Sequence, residues 1–114
     1  MDKETRKKLQ EQYSTRKAVG GVYAIYSSVS GKRLILSTTD MQGSQNRFAF
    51  AQQTGGCVHP KLQSEWKSVV PEAFSFEVIE ELIKKEDQTD KVFMEEAESL
   101  CDMIKERYTD EQLY

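Results

Sequence analysis

The sequence has little of several things that would define a class. It holds only two cysteines, Cys57 and Cys101, too far apart to form a CxxC pair. That spacing argues against a zinc site or a disulfide framework and points to free thiols in a reducing compartment. No apolar run approaches the roughly 18 residues that span a bilayer, which excludes a membrane helix. The opening "MDKETRKKLQEQ" lacks the apolar stretch of a secretory signal, so a cytoplasmic location is expected. There is no internal repeat and no low-complexity tract. The formal net charge of −3 gives no general attraction to a polyanion.

What is present suits one compact domain. Hydrophobic residues make up 38% of the 114 and charged residues 31%, a globular composition with enough apolar surface to build a core. The charge is unevenly spread. Residues 1–17 carry six Lys/Arg against three Asp/Glu, residues 18–71 five against two, and residues 72–114 five against fourteen. A local basic face in the first two thirds is compatible with that distribution.

The pattern along the chain predicts the order α-β-β-α-α-β-α. Residues 2–14 read as a short helix capped by Asp2, with Leu9 and Tyr13 on one face. "VYAIYSS" and "RLILSTT" are rich in β-branched and aromatic residues, and the "VSGK" between them supplies a turn glycine, which predicts a hairpin over 22–38. Gly43 and Ser44 open a predicted helix over 45–53, closed by Gly55-Gly56. In "HPKLQSEWKSV", Pro60 suits a first turn, and Leu62, Trp66 and Val69 fall at helical spacing. The alternation of Phe74, Phe76 and Val78 predicts a third strand. The longest helical pattern runs from Thr89 to Tyr108, with Val92, Phe93, Ala97, Leu100, Cys101, Ile104 and Tyr108 as its apolar stripe. The expectation is an α+β domain over 19–114, a small three-stranded antiparallel sheet flanked by helices, preceded by a helical extension over 1–18.

Several motifs in that order resemble the GIY-YIG nuclease domain. The resemblance covers residues 21 to about 107. Gly21-Val22-Tyr23 matches the first tripeptide, Ser30-Gly31-Lys32 the turn, Arg47 the helical arginine and Lys61-Leu62-Gln63 the segment before the third strand. Glu98 falls at the metal-binding glutamate of the last helix, with Glu95 and Glu96 as register alternatives. His59 corresponds to a histidine of some members, although an ungapped count lands nearer Cys57.

In family members a carboxylate holds a divalent ion at the leaving oxygen, an arginine neutralises the phosphate, and a phenol serves as base or base relay. The resemblance therefore implies catalytic roles for Tyr23, Arg47 and His59, Glu98 as metal ligand, Mg2+ or Mn2+ as cofactor in an active enzyme, and DNA as partner. The departures fall where that chemistry would be. The second tripeptide appears as Leu34-Ile35-Leu36, and the helical arginine is followed by Phe48-Ala49-Phe50-Ala51. Leu34 has no proton to exchange, and Leu36 adds bulk where the family keeps the backbone bare. The implied function is a metal-dependent endonuclease fold with weakened or lost phosphodiester cleavage. The alternative is a non-catalytic module that binds nucleic acid or protein.

Overall fold

A computed structural model describes residues 18–114. The helix expected over 2–14, and all but the last residue of the expected extension, lie outside the described residues. The elements are β1 (Val19–Ser27), β2 (Arg33–Thr38), α1 (Met41–Thr54), α2 (Gln63–Ser68), β3 (Phe74–Ile83) and α3 (Asp90–Lys105). Short 3-10 turns occupy Pro60–Leu62, Pro71–Ala73 and Asp110–Gln112.

The three strands form one antiparallel sheet in the order β2-β1-β3. The β1–β2 hairpin turns at Gly31, whose φ of 72° is a conformation that only glycine adopts without strain. Along β1 the side chains alternate between two faces. Val22 and Ala24 join Ile35, Cys101 and Ile104 under α3. Tyr23 and Ile25 point the other way, into a cluster with Leu34, Phe48, Leu62, Trp66 and Phe74. The sheet is thus the middle layer, with α1 and α2 on one face and α3 on the other.

β1 and β3 slip register at one point. Val22 pairs with Glu80 but Tyr23 pairs with Val78, so Ile79 is an extra residue on β3. Just before the slip, Gly21 has φ 130°. The backbone of β3 passes so close that a Cβ at Gly21 would meet the Glu80 carbonyl group.

Helix boundaries follow their caps. α1 starts earlier than predicted because Asp40, not Gly43, opens it, with Asp40 Oδ1 accepting the Gly43 N–H at 3.0 Å. Gly55, at φ 77°, closes α1 as expected. Thr89 caps α3, accepting the Val92 N–H at 3.2 Å. One member of the predicted α3 stripe is misplaced: Val92 is 49% exposed. It lies in the first turn beside Phe93, which takes the buried position against the sheet. The segment predicted as one helix around Trp66 is a 3-10 turn followed by the short α2.

Candidate functional site

The α1 face of the sheet carries a row of rings. Tyr23 stacks on Phe76 at 4.7 Å between centroids, Phe76 meets Phe48 at 5.9 Å, Phe48 meets Trp66 edge-on at 6.1 Å, and Trp66 stacks on Phe74 at 4.5 Å. Such pairs lock one another's orientation and hold the floor of the domain rigid. Where the row ends at Tyr23, α1 and the loop after it stand away from the sheet. They leave an open cleft of about 680 Å³.

Three of the four residues singled out from the sequence meet at this cleft. Tyr23, Arg47 and His59 all line it, together with Leu36 from β2. The fourth does not. Glu98 is exposed on α3, whose buried side packs on the opposite face of the sheet, and it is not among the cleft residues. The register alternatives Glu95 and Glu96 are exposed on the same helix.

The polar rim is wired through Ser44. Arg47 Nη2 donates to Ser44 Oγ at 3.1 Å. Ser44 Oγ lies 2.8 Å from Thr38 Oγ1, and Thr38 spends its own proton on the Asp40 carbonyl at 3.0 Å. Ser44 Oγ thus accepts from Arg47 and shares a hydrogen bond with Thr38. Burial raises the Tyr23 phenol above its ordinary value, while the neighbouring Ser44 hydroxyl and the Arg47 charge pull weakly the other way. The phenol is therefore harder to deprotonate than a free tyrosine, which does not suit a base. Among the described residues, Arg47 has no carboxylate within ion-pairing distance, so its charge remains available to a ligand.

His59 has a structural duty as well as a place in the wall. Its Nδ1 accepts the Lys61 N–H at 3.1 Å and caps the 3-10 turn. With Nδ1 accepting, Nε2 is the ring nitrogen left to donate into the cleft.

Beyond Leu36 and His59, which it shares with the cleft, lies a second depression of about 150 Å³ along the outer side of β2. Arg33, Lys61 and Lys105 line it. Arg33 is spent internally: Nε donates to Glu77 at 2.8 Å, and the guanidinium lies 4.5 Å over the Tyr26 ring. Lys61 and Lys105 are exposed and, among the described residues, unpaired. No aspartate or glutamate lines either depression. Sequence reasoning missed Lys105, because nothing in an acidic helix marks the one lysine that the fold brings to β2. It also missed that Phe50 ends 65% exposed at the cleft. The signal was there: Phe48 and Phe50 are two apart on a helix, so both cannot face the core.

The cleft residues do not fit a divalent cation. They offer hydroxyls, an amide, an imidazole, a thiol and a guanidinium, but no carboxylate. Among the described residues no group of three or more His, Cys, Asp or Glu is placed to hold a metal ion. No helix among them is long and apolar enough to cross a membrane.

The fold and site define an α+β domain with a three-stranded antiparallel sheet and a cleft bordered by a cationic edge. No family model, curated protein or solved structure matches the chain.

Proposed function

We propose that this chain is a GIY-YIG-like domain that binds nucleic acid along the β2 edge, with phosphodiester cleavage weakened or lost. One observation carries the reading. Arg47, Lys61 and Lys105 follow one another across two adjoining depressions that no acidic side chain lines. In a chain of net charge −3, such an edge is where a phosphate backbone meets attraction instead of repulsion.

The loss of cutting rests on the positions of the two leucines and the glutamate. Leu34 is core and Leu36 lines the cleft where a bare backbone would let a phosphate approach. The ring stacked on Tyr23 is Phe76, which carries no hydroxyl, and burial raises the Tyr23 phenol. Glu98, the carboxylate that the resemblance assigns to Mg2+ or Mn2+, stands on the helix across the sheet from Arg47.

The test is a salt titration of binding to a fluorescein-labelled duplex. Binding at low salt should weaken linearly in log–log form, with a slope of about −0.9 per phosphate contact. Removing Arg47, Lys61 or Lys105 should each reduce the slope by about one. An affinity indifferent to salt, or no binding at 20 mM salt, refutes the reading. The convergence of Tyr23 and Arg47 on one cleft favours residual endonuclease activity as the second reading. Plasmid nicking with Mn2+ that an Arg47→Ala variant abolishes would establish it in place of the first.

A further inference from the structure

The cationic edge accounts for phosphates, but it leaves the cleft beside it unexplained. The cleft is far larger than a phosphate needs, and its body is apolar. Ile25, Leu36, Phe48, Ala51 and Val58 form its walls, and the exposed ring of Phe50 stands among the lining residues. A volume of about 680 Å³ is within the range that holds small organic ligands.

Duplex DNA has nothing to put there. Its bases are stacked and paired, and its backbone would lie across the rim, leaving apolar walls and Phe50 facing water. An unpaired base is different. It carries an apolar face that stacks on aromatic rings without regard to sequence, and polar edges that need donors and acceptors. The rim supplies those groups from the Tyr23 hydroxyl, the Asn46 amide and the His59 Nε2–H. Asn46 Oδ1 already accepts from Gln42 at 3.0 Å, which leaves its amide hydrogens available as donors.

We propose that the cleft is a slot for one unstacked nucleobase, entered from a strand whose phosphates follow Arg47, Lys61 and Lys105. The domain is then a reader of single-stranded or locally unpaired nucleic acid. This rests on the nucleic-acid reading above and deepens it. The occupant's shared chemistry is a nucleobase with its phosphate, supplied either by a strand or by a free nucleotide.

Fluorescence anisotropy separates the possibilities. The ligands are labelled dT15, a fully paired 15-base-pair duplex and the same duplex with one extrahelical thymine, with unlabelled dTMP as competitor. We expect dT15 and the bulged duplex to bind at least tenfold tighter than the paired duplex. Phe50→Ala should cut dT15 affinity about five- to a hundredfold, the range for losing one base–aromatic stack. Phe50→Tyr should retain the preference, and Val70→Ala, another exposed apolar position, should not change it. Competition by dTMP at micromolar concentration supports the slot and names the free nucleotide as its source; competition only at millimolar concentration supports the strand. Equal affinity for single and paired strands, or a preference that survives Phe50→Ala, overturns the slot while leaving the cationic edge standing. Binding to none of the ligands at low salt overturns both.

Discussion

Gly21→Ala offers the sharpest test of the sheet register, because two separate costs meet at that residue. The first is conformational. At φ 130° a side chain is strained wherever the space around it leads, at about 1–3 kcal/mol. The second is steric. A Cβ built there lies 3.0 Å from the Glu80 carbonyl carbon and 3.0 Å from Glu81 Cα, and closer still to the Glu80 oxygen. These are backbone atoms of a paired strand and cannot rotate away, so relief requires the β1–β3 ladder to open beside its bulge, at about 1–3 kcal/mol more. The sum of about 2–6 kcal/mol is a large part of the roughly 5–15 kcal/mol that a domain commands. It corresponds to a fall in Tm of roughly 8 °C or more. Gly31→Ala is the matched control: φ is 72° and nothing lies within 4 Å of its Cβ. Only the strain remains there, about 1–2 kcal/mol, partly offset by the smaller entropy of the unfolded alanine chain. Urea unfolding followed by Trp66 fluorescence and far-ultraviolet circular dichroism measures both. A Gly21→Ala protein within about 0.5 kcal/mol of Gly31→Ala would refute the close approach of β3 and the register drawn from it.

Three further expectations can be checked with the same protein. Ser27, fully buried, hydrogen-bonds Glu65 Oε1 at 2.6 Å, and Tyr114 bonds the other oxygen. Burial works against the Glu65 charge, but these bonds outweigh it and hold the carboxyl below its ordinary value of 4.5. The stabilisation is therefore fully present above pH 4.5 and is lost as pH falls through the lower folded-state value; Ser27→Ala should remove about 1.5–3 kcal/mol at neutral pH and flatten that acid limb. Cys57 is exposed, whereas Cys101 is 4% exposed and burial raises its thiol. One equivalent of thiol should react with Ellman's reagent in the native protein and the second only on unfolding; two fast equivalents would contradict the packing of α3. Asp40→Ala should cost about 1 kcal/mol by removing the α1 cap, seen as a lower urea midpoint at unchanged slope.

The strands were legible because their signals are local. The β-branched and aromatic content of "VYAIYSS" and "RLILSTT" with a glycine in "VSGK" suffices for the hairpin, and the alternation of Phe74, Phe76 and Val78 suffices for β3. Gly55 and the core positions of Trp66 and Cys101 were equally plain, while the cap of the last helix was narrowed to Thr89 or Asp90, of which Thr89 operates. The start of α1 was missed because Gly43-Ser44 looks like an opening signal, while the cap that operates, Asp40, sits behind "MQ" in an unremarkable loop. The site was legible only within one face of the sheet. Tyr23 and Arg47 come together because β1 and α1 are joined through β2 alone, so their meeting depends on short-range geometry. Whether Glu98 reaches them depends on which face α3 covers. That is decided by Phe93, Ala97, Cys101 and Ile104 against Val22, Ala24 and Ile35, a choice that no spacing in the chain expresses.

The placement of Leu34 leaves little room for a different side chain at that position. At 4% exposure it belongs to the same cluster as Ile25, Phe48, Leu62, Trp66 and Phe74. A tyrosine placed there would have to house a larger ring and a hydroxyl in a space already filled with hydrocarbon, so it would strain the scaffold. Accommodating it would require those neighbours to shrink first. Each such step alone opens a void, so the packing itself holds leucine at this position.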